Sequence, residues 1–131
     1  MVQSIFTPAA PAPSGHYSQA VAHNGIVYVS GQLPFDPLTG KICPGGIEEQ
    51  AERVLKNLAE ILTAAGSDLQ HVLKVTIYIP GVKYWPPVNL VYARVFGEHK
   101  PARCVVPVAE LNYGALIELE AVAAQIDTGE V

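Results

Sequence analysis

The sequence predicts an α+β fold, a single sheet of five or six strands with two helices on one face. Three observations predict it. Apolar side chains recur every three or four positions over 47–65, the period of an amphipathic helix. Five other stretches are short, rich in β-branched or aromatic residues, and bounded by Gly, Pro or Asn. Between the first two of these stands His23-Asn24-Gly25, and Asn-Gly between apolar runs is a strong hairpin signal because both residues tolerate positive φ.

The elements follow in order. Residues 7–14 contain three prolines and read as an extended leading arm, since proline cannot sit inside a helix. Tyr17–Ala22 and Ile26–Ser30 form the hairpin, and Gly31 ends its second strand. Asp36-Pro37-Leu38-Thr39-Gly40 is a turn, after which Lys41 and Ile42 begin a short third strand. In the first helix Ile47, Ala51, Val54, Leu55, Leu58, Ile61, Leu62 and Ala65 make one stripe. Glu48, Glu49 and Glu52 lie near its positive end, and Gly66 is placed to cap it. His71–Ile79 is a strand stopped by Pro80-Gly81. A second helix begins at Pro86 or Pro87, presents Val88, Val91, Tyr92, Val95 and Phe96, and ends at Gly97. Cys104–Ala109 and Leu116–Ala124 are the last strands, turning at Asn112-Tyr113-Gly114.

A chain of 131 residues is the size of one domain, and 1–131 is read as one. Half of its residues are hydrophobic and only 15% are charged, against about 25% in ordinary domains. So small a chain has too much surface to hide that apolar material alone, so the expectation is that another copy covers the open sheet face. Net charge is −4 with no Lys/Arg cluster, which argues against nucleic acid as a partner. Cys43 and Cys104 are far apart and suit a reducing compartment. No signal peptide and no membrane-length apolar run is evident, so a cytoplasmic location is expected, with no membrane partner.

Arg103 stands between Pro101-Ala102 and the run Cys104-Val105-Val106. An arginine in so apolar a strand needs a partner. Its planar fork suits a carboxylate or phosphate ligand, and a structural salt bridge to Glu118 or Glu120 would serve equally. Alternation puts Glu118 and Glu120 on one strand face, with Ile117 and Leu119 on the other. Paired carboxylates can divide acid and base roles, although on spacing alone a solvated polar edge is the better reading. Tyr17 reads as a packed ring or a pocket wall, and Asn89 as a cap or a ligand-binding amide. Cys104 reads as an inert core thiol. The four histidines lack metal-ligand spacing, so no metal is expected, and no dinucleotide or phosphate-loop motif occurs.

Ordered blocks along nearly the whole chain resemble the RidA/YjgF family, also called the YER057c-type or perchloric-acid-soluble family. They are Gly15-His16-Tyr17-Ser18-Gln19-Ala20, Val29-Ser30-Gly31-Gln32-Leu33-Pro34, the Asp36–Gly40 turn, Gln50, Asn57-Leu58, Ala64-Ala65-Gly66, Val88-Asn89-Leu90-Val91-Tyr92, Pro101-Ala102-Arg103 and Ile117-Glu118-Leu119-Glu120-Ala121. The resemblance implies a chorismate-mutase-like fold assembled as a homotrimer, with sites in clefts between subunits. It implies hydrolysis of 2-imino acids or their enamines, such as 2-iminobutanoate and 2-iminopropanoate, to 2-keto acids and ammonia, without a cofactor. In this sequence Arg103 matches the arginine that grips the substrate carboxylate. Glu118 matches the glutamate that orients the attacking water, and Tyr17, Gly31 and Asn89 match positions lining the pocket. Three departures stand out: Cys104-Val105 follows Arg103 where relatives often have Ser-Cys, the segment before Pro101 is shorter than in many relatives, and Tyr84-Trp85-Pro86-Pro87 is unusually bulky and rigid, the last two bearing on the shape of the pocket. A non-catalytic binder of small carboxylates, an endoribonuclease and, on fold analogy alone, a chorismate mutase are the competing readings.

Overall fold

The computed structural model describes residues 1–126, so the last five positions of the expected 1–131 unit lie outside the described residues. In chain order the elements are β1 (Gln3–Ile5), β2 (Ala20–His23), β3 (Ile26–Gln32), β4 (Phe35–Asp36), β5 (Lys41–Ile42), α1 (Ile47–Ala64), β6 (Val72–Ile79), α2 (Trp85–Phe96), β7 (Ala102–Pro107) and β8 (Glu118–Ala124). Six strands form one sheet in the order β1-β2-β3-β8-β6-β7, and β4 and β5 pair separately. All neighbours are antiparallel except β6 and β7, which run parallel across the α2 connection.

Local chemistry sets each turn. Asn24 and Gly25 both take positive φ, 52° and 81°, which matches the twist of the β2–β3 hairpin. At Asp36–Gly40 the Asp36 carboxylate and carbonyl accept from Leu38 N–H and Gly40 N–H, joining β4 to β5. Glu49 accepts from Gly46 N–H at 2.8 Å and closes the start of α1. The α1 stripe is buried as expected, with Ile47 at its rim.

Both helices lie on one sheet face. Val27, Val29, Val75, Ile77, Leu119, Ala121 and Ala123 are buried beneath them, each at most 5% exposed. Alternation sends Tyr28, Thr76, Tyr78, Glu118, Glu120 and Val122 to the other face, which no helix covers among the described residues.

Several boundaries differ from expectation. The arm is anchored by the buried Gln19 side chain, which accepts from Thr7 N–H at 2.7 Å and donates to Thr7 O and Pro11 O. Those bonds draw the chain before Ala20 out of the sheet, so Tyr17 precedes the strand instead of starting it. The unexpected β1 pairs with β2 at the sheet edge. β3 continues through Gly31 to Gln32 by way of an irregularity in its pairing with β8. α2 starts one residue early, at Trp85, with its prolines in the first turn where no amide donor is needed. β7 begins at Ala102 because it pairs with β6 from Lys74 onward, placing Arg103 inside the strand.

Two buried polar residues on α1 hold the loops that flank the open face. Asn57, fully buried, donates to Phe35 O at 2.9 Å and accepts from Arg53 Nε at 3.1 Å. Gln50 Oε1 accepts from Leu116 N–H at 2.8 Å, just before β8. Asn57→Ala leaves a buried carbonyl unpaired, and urea denaturation is expected to show a loss of about 2–3 kcal/mol.

Candidate functional site

The residues expected to act form two groups in this chain. The first surrounds Arg103. Its Cα partner across the ladder is Val75, so its side chain lies on the helix side of the sheet, at the exposed edge strand. There the guanidinium carbon sits 4.4 Å from the Trp85 ring centre and 5.0 Å from that of Tyr92. Nη1 donates to Asn89 Oδ1 at 3.0 Å. Asn89 is thus an arginine partner and does not cap α2. Arg103 takes its partners from α2. It is exposed, and aromatic faces, not carboxylates, surround its charge. Among the described residues no ion pair forms between Arg103 and Glu118 or Glu120. Tyr92 is nearly buried, and its hydroxyl makes no hydrogen bond. Burial raises its pKa, against the pull of Arg103.

The second group surrounds Glu118, on the bare face at the start of β8. A cleft of about 440 Å³ opens here, lined by Ser14, Tyr17, Ser30, Gly31, Tyr113 and Glu118, among others. The arm forms one wall, held by Gln19. Tyr17 is half exposed, and its hydroxyl accepts from Ser14 N–H at 3.3 Å. Tyr113 turns with φ of 62°, a conformation bulky residues rarely adopt, and its ring meets Phe35 edge-on at 5.2 Å. Gly31 gives the Glu118 carboxylate its room: a Cβ there would lie 2.7 Å from Oε2 and would push the carboxylate aside. Burial pushes the Glu118 carboxyl above its ordinary pKa, and the nearby Glu120 charge adds to the rise. Glu120 accepts a long hydrogen bond, 3.4 Å, from the Tyr78 hydroxyl.

Arg103 and Glu118 therefore do not meet within one chain. They sit on opposite faces, and β6 separates their strands, a span of about 10 Å. Cys104, expected in the core, is exposed on the bare face with Glu120 and Thr76, because β7 is an edge strand. Trp85 belongs to the bulky segment that stood out in the sequence, but its contact with Arg103 was not foreseen, and Tyr92 was placed only on the apolar face of α2. Their spacing from Asn89, four and three residues along one helix, was the available signal.

A family model described as Endoribonuclease L-PSP matches residues 7–125. The chain belongs to this family. A RutC family protein of Pyrococcus horikoshii is 46% identical over 123 residues, covering 94% of this chain and 98% of that one. A rat relative named 2-iminobutanoate/2-iminopropanoate deaminase is 46% identical over 121 residues, covering 92% and 88%. Among solved structures, Escherichia coli TdcF with bound serine superposes with a TM-score of 0.90 at 35% identity, covering 95% and 99%. The RidA/YjgF resemblance and its α+β fold are thereby established. Among the described residues no helix is long and apolar enough to cross a membrane.

Within this L-PSP fold the crowding at Gly31 is testable. Gly31→Ala presses only on the end of a flexible carboxylate, so the melting temperature is expected to hold while the Glu118 carboxyl resonance moves. In the native protein, side-chain NMR should find Glu118 titrating above an ordinary glutamate. Because the raised pKa penalises the ionised form, the stability of wild type relative to Glu118→Gln is expected to be greatest in acid. It should decline as pH rises through the Glu118 pKa, as melts from about pH 4 to about pH 8 can show.

Proposed function

We propose that the chain hydrolyses small 2-imino acids, or their enamine tautomers, to 2-keto acids and ammonia, as a homotrimer with sites shared between subunits. The observation that carries the reading is the separation just described. A free arginine fork lies at one sheet edge and a carboxylate of raised pKa lines a cleft on the other face, so a site using both needs two copies. A ring of copies in head-to-tail contact provides that juxtaposition three times over. The uncovered face, with Tyr28 half exposed on it, is the surface such packing would bury.

The chemistry asks little of the protein. A protonated imine carbon is already electrophilic, so carboxylate anchoring and placement of one water supply most of what is needed. Arg103 binds the substrate carboxylate, with Tyr17, Gly31 and Asn89 completing the pocket. The Glu118 carboxylate accepts a proton as the water oxygen bonds to C2. It then returns that proton to the amine. The C–N bond breaks as the C2 hydroxyl oxygen forms the C=O and gives its proton back to Glu118, which passes it to the departing ammonia, so keto acid and ammonium leave. A pKa above that of a free glutamate brings Glu118 nearer to the working pH for both steps. No cofactor enters these steps, and a cytoplasmic setting is part of the same reading.

Relatives named as imine deaminases at 43–46% identity, and a neighbour holding serine, support a small amino-acid-like ligand. Charge disfavours the ribonuclease reading: the net charge is −4, and the sequence holds no Lys/Arg cluster.

The test uses a threonine dehydratase to generate the imine while keto-acid release is followed. Arg103→Ala and Glu118→Gln are each expected to lose about 100-fold with assembly intact. Dissociated and reassociated together, the two variants should regain activity, because about one quarter of shared sites then combine both native residues. Full activity in either single variant, or no recovery on mixing, would reject the shared site. Arg103-dependent keto-acid binding without turnover would select a binding protein instead.

A further inference from the structure

We propose that Trp85 is a positioning residue for this site: its indole holds the Arg103 guanidinium in place while leaving the fork's charge and N–H groups available to a carboxylate. The inference rests on the reading of Arg103 as the carboxylate anchor.

Arg103 lies on an edge strand and is exposed, where a long side chain ordinarily samples many rotamers. Binding through such a side chain loses that freedom and weakens accordingly. Here α2 restrains it from three positions on one helix face. The Trp85 ring centre is 4.4 Å from the guanidinium carbon, the Tyr92 ring centre is at 5.0 Å, and Asn89 Oδ1 accepts from Nη1. The restraints are themselves fixed. Tyr92 is 6% exposed within the core. Trp85 packs against the same core and is followed by Pro86-Pro87 in the first helical turn, where both φ angles are locked.

The chemistry of the cage matters as much as its rigidity. A carboxylate partner would neutralise the arginine and occupy the donors that a substrate needs. Among the described residues, no acid pairs with Arg103. Aromatic faces attract the cation through their quadrupoles but accept no in-plane N–H bonds. Asn89 takes one donor as a neutral acceptor, so the guanidinium keeps its charge and, among the described residues, its other N–H groups meet no side-chain acceptor.

The chain contains one tryptophan, so growth on fluorinated tryptophan alters Trp85 alone. Fluorination keeps the ring's shape and drains the negative charge from its face. Calorimetric Kd values for 2-oxobutanoate are expected to rise steadily from native through mono-, di- and trifluorotryptophan protein, by about 5-fold in all, at constant melting temperature. Trp85→Phe should fall within that range, and Trp85→Leu should weaken binding by about 10-fold. A flat fluorination series overturns the role of Trp85, and so does weakening seen only where the melting temperature drops. Failure of the native protein to bind 2-oxobutanoate overturns the carboxylate reading and this inference together.

Discussion

Side-chain alternation along β8 is the constraint on which the rest of the molecule depends. Leu119, Ala121 and Ala123 lie under the helices, where with Val27, Val29, Val75 and Ile77 they complete the apolar surface that α1 and α2 cover. The same period of two then forces Glu118 and Glu120 onto the face the helices leave bare. A register slip of one residue would bury two carboxylates and expose the core stripe. The acid is thus held in place by the packing of its apolar neighbours, and its raised pKa follows from the partial burial that results.

Around that frame the polar residues inside the fold act as fasteners. Gln19 ties the proline-rich arm to the sheet, and Asn57 and Gln50 tie α1 to Phe35 and Leu116. Each replaces water at backbone groups that would otherwise be buried unpaired. Their common effect is to keep irregular segments close to the Glu118 cleft. Arg103 is organised differently. It meets rings and an amide, and retains its charge at the sheet edge.

Much of this was legible in residue order. The stripe from Ile47 to Ala65, the Asn24-Gly25 turn, and the Glu118/Glu120 and Ile117/Leu119 division were all correctly placed. So was the open sheet face, which followed from two helices on one side of a single sheet. The ordered blocks around Gln19, Gly31, Asn89 and Arg103 indicated the family. Strand β1 escaped because Gln3–Ile5 is too short and too polar to carry a periodic signal. The exposure of Arg103 and Cys104 escaped for a different reason. An apolar strand reads as interior, and only the pairing order reveals that β7 lies at an edge.

Local chemistry by itself therefore determined the helices, the hairpin and the face on which each carboxylate stands, because periodicity and turn preference act within a few residues. Tertiary structure alone decided what each charged group meets. Strand order put β6 between Arg103 and Glu118, helix packing brought Trp85 and Tyr92 to the arginine, and the close approach at Gly31 left room for one carboxylate. Those contacts join residues distant in the chain, and spacing along a sequence carries no record of them.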